Sequence, residues 1–299
     1  MAIAVGCIGL GVMGARIAAR LVQQGFPLMI YDGSSGPVRY FIMKMAAADI
    51  AATPAAMAEM CDVVITVLPS AAEVRDVALG QIGLVHGFRA GGTLIDMGTS
   101  GGEEMKKLAA ELAPRGITLI EAPVCGTPME AKAGKLLIPV AGNAEAIDRF
   151  MPVFEALGRV ERTGALGSAT AAAALTDYLR TASLLAACEA LLLARQAGME
   201  PPALVAHFEA SGLLSPVLAD TLKQQILTRK FASGQTLDTV LTDLKNALAL
   251  ARDAGANLRF AALCHEMWGA AHRERGSEED YTAILRWLEA NAPAKPPPA

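Results

Sequence analysis

GCIGLGVMGARIAARLVQQGFPLMIYD, residues 6–32, is the segment of the sequence that says most about the fold. A short apolar run leads into three glycines spaced as Gly9-x-Gly11-x-x-Gly14, and a helical pattern follows. The chain then returns through a second apolar run that ends at the acid Asp32. This strand–turn–helix–strand unit predicts a dinucleotide site. The first glycine allows the tight turn, the second lets a pyrophosphate approach the backbone, and the third lets helix and strand pack closely.

The acid at the end of the second strand bears on which dinucleotide is bound. The carboxylate of Asp32 is placed to accept a hydrogen bond from an adenosine ribose 2′-hydroxyl, and it would repel a 2′-phosphate. No arginine follows it immediately, since the nearest, Arg39, is seven residues on. The sequence therefore predicts NAD as the cofactor, with NADP as the alternative. The predicted cofactor-binding residues of this unit are Gly9, Leu10, Gly11, Val12, Met13, Gly14 and Asp32.

The first half of the chain alternates short β-rich runs with helical patterns. Several of the β-rich runs are continuously apolar, as expected where helices cover both faces of a parallel sheet. The alternation predicts a doubly wound, mostly parallel α/β domain of the Rossmann type. The predicted strands are residues 3–8, 28–32, 62–69, 92–98, 117–124 and 136–142.

Beyond residue 163 the pattern changes to long helical stretches. We therefore predict a Rossmann domain over 1–163, an all-α domain over 164–290 and a disordered, proline-rich tail over 291–299. The apolar stretch GALGSATAAAALTDYL opens the second domain. It is predicted to begin an interdomain helix over about 168–197.

Composition limits the classes of function. Of the 299 residues, 53% are hydrophobic and only 5% aromatic, and the net charge is −4 with no basic stripe interleaved with aromatics. We therefore expect no nucleic-acid partner. The five cysteines are scattered and never spaced as CxxC, which predicts reduced thiols in a cytoplasmic protein, with no disulfide framework and no metal site. The glycine-interrupted start lacks a basic segment, so neither a signal peptide nor a membrane association is expected.

These residues resemble the β-hydroxyacid dehydrogenases, a family that includes 3-hydroxyisobutyrate dehydrogenase, tartronate semialdehyde reductase and phosphogluconate dehydrogenase. The similarity extends from Ile3 to about Leu288. Residues 66–80, TVLPSAAEVRDVALG, are similar to the family's segment after the fourth strand. Residues 121–142, EAPVCGTPMEAKAGKLLIPVAG, resemble its substrate signature, D-A-P-V-S-G-G.

The resemblance has several implications. It implies a Rossmann domain followed by a helical domain like the C-terminal domain of 6-phosphogluconate dehydrogenase. It implies a small-molecule substrate held between the domains, and a homodimer or homotetramer formed through the helical domain. It also adds Leu68, Pro69 and Thr99 to the cofactor-binding residues.

The departures from the family concern its catalytic residues first. The catalytic signature is roughly G-x-x-G-x-G-x-x-x-K-x-x-x-N. Aligned on GALGSATAAAALTD, residues 164–177, it puts the lysine position on Ala173 and the asparagine position on Asp177. In the family that lysine takes the proton from the substrate hydroxyl in oxidation and returns it in reduction. Alanine can do neither, and general acid–base help is commonly worth about 100- to 10,000-fold.

The substrate positions differ as well. The serine of the substrate signature is Cys125 and its second glycine is Thr127, and a lysine of a later family motif falls on Thr242. Two cationic groups are thus missing from one pocket, which predicts a neutral or cationic substrate rather than a small carboxylate. No histidine lies near Cys125 in sequence, so we take it as pocket lining and not as a nucleophile. The predicted substrate-binding residues are Cys125, Gly126, Thr127, Ala173 and Thr242.

Asp177 is the only ionisable residue at a family catalytic position. It lies four residues after Ala173 and therefore shares that face of the helix. A carboxyl group buried beside an apolar ring tends to stay protonated, and Asp177 could then donate a proton to the substrate. The alternative is a structural ion pair with Arg180 one turn on.

Three functional hypotheses follow. The leading one is an NAD(P)-dependent oxidoreductase of this family with a non-standard active site, which transfers hydride between the nicotinamide and a small hydroxy or carbonyl substrate. Imine reductases are relatives that manage without the lysine, and an iminium substrate arrives already protonated, so a C=N reductase is an alternative. Against it, residues 121–142 resemble the hydroxyacid branch more closely. The third hypothesis is a cofactor-binding protein without turnover.

Overall fold

Short buried runs alternate with helices through the first unit of the chain, Met1–Ala173. The structure, a computed structural model, describes residues 2–45, 47–99 and 102–292. Within these residues eight strands form one sheet. They are β1 (Val5–Ile8), β2 (Leu28–Tyr31), β3 (Ala48–Ile50), β4 (Val63–Thr66), β5 (Thr93–Asp96), β6 (Thr118–Glu121), β7 (Leu136–Gly142) and β8 (Gly158–Gly164).

The strand order gives the sheet a topological switch point at β1. The strands lie in the order β3-β2-β1-β4-β5-β6-β7-β8, and every neighbouring pair is parallel except β6 and β7. Strand β1 pairs with β2 on one side and β4 on the other, so the chain direction across the sheet reverses there. Open parallel sheets bind ligands at such a switch point. The mostly parallel Rossmann sheet predicted from the sequence is confirmed.

The central strands are buried on both faces. Every residue of β1, β4 and β5 is buried, and successive side chains of a strand point to opposite faces. Val63 and Ile65 accordingly belong to one hydrophobic cluster and Val64 to another. The helices of this unit are α1 (Gly14–Gln23), α2 (Ser35–Lys44), α3 (Pro54–Met60), α4 (Ala71–Leu79), α5 (Gly102–Leu112), α6 (Pro128–Ala133) and α7 (Ala144–Leu157).

Two strands were not predicted from the sequence, β3 and β8. Both lie at the edges of the sheet. Strand β3 has three residues, none of them buried, and β8, with the sequence GRVERTG, has none buried either. Neither carries the continuous apolar run of a central strand, because an edge strand is not covered on both faces. Hydropathy alone therefore gave no signal for them.

The second unit, Ala174–Ala299, is helical over its described residues. Its core contains Trp268, which is fully buried, with Leu184 and Leu244 in the same cluster. Within the described residues, none of the helices has the length and apolar character needed to cross a bilayer. The helices are α8 (Ser168–Gln196), α9 (Pro201–Ala210), α10 (Pro216–Thr221), α11 (Leu237–Asp253), α12 (Arg259–Arg275) and α13 (Ile284–Asn291), with one π-helical turn over Leu222–Leu227.

The boundary between the two units lies after Ala173, inside α8, whose first turns therefore belong to the first unit. The boundary predicted from the sequence lies after residue 163, before that helix. Of the predicted tail, 291–299, residues 293–299 lie outside the described residues.

Candidate functional site

The glycine turn after β1 has the form that a dinucleotide site needs. Gly9 has φ +94°, which favours glycine, and a Cβ there would lie 2.3 Å from the Val67 carbonyl oxygen. A Cβ on Gly14 would lie 2.0 Å from the Gly9 carbonyl oxygen, so the first turn of α1 packs directly on the loop. Gly11 differs, since a Cβ there would meet no atom of the described residues within 4 Å. The backbone at Gly11 is thus open to a ligand at the N-terminus of α1.

Asp32 ties the end of β2 to this turn. Its carboxylate accepts hydrogen bonds from the Leu10 N–H (2.8 Å, Oδ2) and from the Ser34 N–H (2.9 Å, Oδ1). The predicted cofactor residues Leu10 and Asp32 are therefore in direct contact. An acid fixed in this way, beside an open glycine backbone, fits an adenosine ribose followed by a pyrophosphate.

The loops after β4 and β5 meet the same turn. A Cβ on Gly9 would lie 3.0 Å from Leu68 Cδ2, and one on Gly98 would lie 2.8 Å from the Leu68 carbonyl oxygen. Pro69 follows and is exposed, and Thr99 ends the described part of the β5 loop. Leu68 therefore lies against the glycine turn, and the loop after β5 lies against Leu68. These segments all follow the carboxyl ends of adjacent strands.

Glu121, the last residue of β6, was not selected from the sequence as a site residue. It is 1% exposed, and its Oε2 accepts a hydrogen bond from the Gly167 N–H at 2.7 Å, just before α8 begins. Its other oxygen, Oε1, is buried and has no hydrogen-bond partner among the described residues. Burial raises the pKa of Glu121, while hydrogen bonds from Gly167 and Thr170 oppose the rise. The sequence feature that could have identified Glu121 is an acidic residue at the end of an apolar, strand-like run.

The predicted substrate segment forms a helix cap. Thr127 is the N-cap of α6, and Glu130 is the third residue of that helix. Glu130 Oε2 accepts hydrogen bonds from the Thr127 N–H (2.7 Å) and the Thr127 hydroxyl (2.9 Å), and the Thr127 hydroxyl accepts one from the Glu130 N–H (3.2 Å). Cys125 exchanges backbone hydrogen bonds with Leu137. The N–H group of Thr127 therefore already donates its hydrogen bond to a carboxylate of the chain itself.

Helix α8 carries the predicted catalytic positions. Ala173, the residue predicted from the sequence to stand at the family's lysine position, is buried, with 2% of its surface exposed. Asp177 Oδ1 lies 2.8 Å from Arg180 Nη2, so the ion pair named as the alternative is present. The predicted substrate residue Thr242 is exposed on α11, whereas its neighbour Asp243 is buried.

Asp243 was not selected from the sequence, and its carboxylate lies 3.7 Å from the same Arg180 nitrogen. Burial, followed by the charge of Asp177, raises the pKa of Asp243 to about 8, against the opposing effect of Arg180. The nearby phenol of Tyr178 also has a raised pKa, because it is partly desolvated.

Three of the cysteine thiols have strongly raised pKa values. Burial raises the pKa of the Cys7, Cys61 and Cys188 thiols to about 12, so these groups are protonated at neutral pH. In the described part of the chain no group of three or more His, Cys, Asp or Glu residues is arranged to hold a metal ion.

Two family models match the chain. The model for the NAD-binding domain of 6-phosphogluconate dehydrogenase matches residues 4–169. The model for the NAD-binding region of NADP-dependent 3-hydroxyisobutyrate dehydrogenase matches residues 167–288.

Individual proteins match over almost the whole chain. The 2-hydroxy-3-oxopropionate reductase of Escherichia coli (strain K12) is 28% identical over 292 residues, which are 96% of this chain and 97% of that protein. The 3-sulfolactaldehyde reductase of the same organism is 27% identical over 290 residues, 97% of each chain. The solved structure of Mycobacterium tuberculosis 3-hydroxyisobutyrate dehydrogenase with L-serine has a TM-score of 0.86 at 21% identity, over 96% of this chain and 99% of that one.

Proposed function

Since the chain belongs to the family of NAD-binding dehydrogenases that comprises 6-phosphogluconate and 3-hydroxyisobutyrate dehydrogenases, we propose that it is an NAD(P)-dependent oxidoreductase with a non-standard active site. It transfers hydride between the nicotinamide and a small hydroxy or carbonyl substrate. The observation that carries the proposal is the open backbone at Gly11 beside the fixed carboxylate of Asp32.

The glycine turn and Asp32 would hold the dinucleotide. The N-terminus of α1 favours the pyrophosphate charge, and the carboxylate of Asp32 accepts a hydrogen bond from the ribose 2′-hydroxyl. When bound, the nicotinamide supplies or accepts the hydride. The residues fit NAD best, because a 2′-phosphate would lie against the Asp32 charge, and NADP is the alternative.

Proton transfer has to be achieved without a lysine. Ala173 offers no ionisable group, and Asp177 lies one turn further along α8. Its side chain is 15% exposed and is held by Arg180. Asp177 is therefore the group proposed to exchange a proton with the substrate oxygen, while Ala173 leaves space and no charge.

The substrate is proposed to be neutral or cationic. In the substrate signature, the N–H of Thr127 is bonded to the chain's own Glu130 carboxylate, at 2.7 Å. An anionic substrate group would have to displace that carboxylate or lie against it. Thr242 is assigned to a family lysine position, and its hydroxyl carries no positive charge.

The test is a turnover screen of alcohols with NAD+ and NADP+, and of aldehydes, ketones and imines with NADH and NADPH, each in neutral, anionic and cationic forms. We expect turnover of neutral or cationic substrates in preference to carboxylates of the same size. Asp177→Ala should lower kcat at least about tenfold, as the loss of general acid–base help predicts. The matched control is Asp238→Ala, because Asp238 is exposed on α11 and should leave kcat unchanged. Unchanged kcat in Asp177→Ala would remove Asp177 from the mechanism.

A C=N reductase is the second candidate, and the observation that favours it is the buried alanine at position 173. An iminium carbon accepts hydride without a proton donor, so the loss of the lysine costs that reaction little. Turnover of cyclic imines but not of ketones would select this candidate. Cofactor binding with no turnover of any substrate would select a cofactor-binding protein.

A further inference from the structure

Two carboxylates share one guanidinium group in the second unit of the chain. Arg180 Nη2 lies 2.8 Å from Asp177 Oδ1 on the same helix, α8, and 3.7 Å from Asp243 Oδ2 on α11. Arg180 Nη1 is hydrogen-bonded to Gln235 Oε1. The exposed fraction of the side chain is 24% for Arg180, 15% for Asp177 and 8% for Asp243, so the three groups are largely removed from water.

The charges of this cluster do not balance when both carboxylates are ionised. Two negative charges then face one positive charge, and within the described residues Arg180 is the only cationic side chain that pairs with either acid. Two carboxylates in one poorly solvated site cannot both ionise easily, and a proton on either one brings the cluster to neutrality.

Two titratable groups near the cluster, Tyr281 and His272, do not supply the missing positive charge. The ring of Tyr281 is buried beside the guanidinium, 5.9 Å from Arg180 Cζ, and burial raises the pKa of its phenol, which therefore stays neutral. On α12, which packs along α11, His272 faces Asp238, which is 67% exposed and precedes Asp243 by more than a turn. Burial and the charge of Asp177 raise the pKa of Asp243, and the charge of Arg180 lowers it.

We infer that Asp243 is a positioning residue for proton transfer: acting with Arg180, it keeps one proton on the Asp177–Asp243 pair, from which Asp177 supplies the substrate. The two oxygens that share the Arg180 nitrogen, at 2.8 and 3.7 Å, are no more than about 6.5 Å apart. Two hydrogen bonds of about 2.8 Å let one bridging water connect carboxyl oxygens that are less than about 5.6 Å apart. Asp177 is the more exposed of the two acids and is the one that meets the substrate. This inference rests on the proposed function.

The proton balance of the step is simple. In reduction, the carbonyl carbon receives hydride from the reduced nicotinamide, and the carbonyl oxygen receives the proton of the carboxyl pair. The pair is left with both carboxylates ionised around Arg180, and it takes up a proton from solvent before the next turnover. In oxidation the pair accepts the hydroxyl proton and later releases it.

The first measurement needs no turnover. Carbon-13 NMR of the full chain, labelled at the aspartate carboxyl carbons and free of cofactor, follows each carboxyl from pH 4 to pH 9.5. We expect one aspartate signal to titrate near pH 8. That signal should be absent in Asp243→Asn, and in Asp177→Asn it should titrate at least about one pH unit lower, because the neighbouring charge is gone. The matched control Asp238→Asn, on the same helix, should keep it.

The NMR result separates this inference from the proposed function. If no aspartate of the unsubstituted chain titrates above pH 6, or if Asp177→Asn leaves the signal in place, the carboxyl pair is refuted whether or not the protein turns over. Because the unsubstituted chain itself gives the first result, the test stands even where a variant does not fold. A signal near pH 8 in a chain without turnover would overturn the proposed function and leave the shared proton intact.

Where turnover is found, the pH profile completes the test. In reduction, kcat should fall as pH rises through 8, because the pair loses its proton, and in Asp243→Asn the fall should occur at least about one pH unit lower. Asp238→Asn should match the unsubstituted chain. A merely structural role of Asp243 would lower kcat by the same factor at every pH, and that result would refute the inference.

Discussion

Alanine substitution at the three glycines of the turn after β1 should have three different outcomes, although the chemical change is the same. At Gly11 the added methyl group meets no atom within 4 Å in the part of the chain that the structure describes, so folding should be unaffected and the melting temperature should stay within about 2 °C. The methyl group instead enters the space through which the pyrophosphate approaches the backbone. It should remove at least one charge-assisted hydrogen bond, worth about 1.5–3 kcal/mol. NADH should therefore bind about ten- to 100-fold more weakly.

Substitution of either of the other two glycines should destabilise the folded state. Gly9→Ala places a Cβ 2.3 Å from a backbone oxygen and adds the strain of φ +94°, and Gly14→Ala places one 2.0 Å from a backbone oxygen. Overpacking and backbone strain cost about 1–3 kcal/mol each. A loss of that size lowers the melting temperature of a chain of this length by about 2–10 °C. The control is Gly269→Ala in α12, where the nearest atom is 3.4 Å away at the flexible end of Arg273.

The assays are thermal unfolding without cofactor and titration of the intrinsic NADH fluorescence. The expected pattern is normal stability with weak binding for Gly11→Ala, lowered stability for Gly9→Ala and Gly14→Ala, and no change in binding for Gly269→Ala. Normal NADH affinity in Gly11→Ala would refute the placement of the pyrophosphate at this backbone.

Two further predictions concern acids of the first unit. Glu121→Ala should cost about 2–4 kcal/mol in unfolding free energy, because the Gly167 N–H loses its buried acceptor, whereas Glu121→Gln should cost under about 1 kcal/mol. Because the folded-state pKa of Glu121 is raised, ionisation of its carboxyl group destabilises the folded state, and this penalty is absent below pH 4.5 and grows as pH rises. The stability of Glu121→Gln relative to the unsubstituted chain should therefore increase from pH 4.5 to pH 8. A difference in the free energy of urea unfolding that stays constant over this range contradicts the prediction. Asp32→Asn should reduce the preference for NADH over NADPH about tenfold or more in fluorescence titrations, because the charge that repels the 2′-phosphate is gone, and an unchanged ratio excludes that role.

Most strands of the first unit could be predicted from the apolar runs in its sequence. The strands that carry the glycine turn and Asp32 were predicted because central strands of a parallel sheet must be apolar on both faces. The edge strands β3 and β8 lack that requirement, and no hydropathy pattern marked them. The compact units divide inside α8, and a helix that continues through a boundary gives no local signal in the sequence.

The candidate site was predictable only in part. The segment Thr127-Pro-Met-Glu130 has the pattern of a capping box, so the contact between Thr127 and Glu130 could have been inferred from the sequence. The position of Asp243 could not, because its effect depends on α11 placing it beside Arg180, sixty-three residues away along the chain. Which acids share a cation is decided by tertiary packing.

The central claim is that this chain transfers hydride although it has alanine at position 173. The most direct measurement is mass spectrometry of products formed from NADH deuterated at both C4 positions, over the panel of carbonyl and imine substrates. A neutral or cationic substrate should be reduced, and its product should carry one deuterium on the former carbonyl or imine carbon. Binding of the labelled NADH with no deuterium in any product would contradict it.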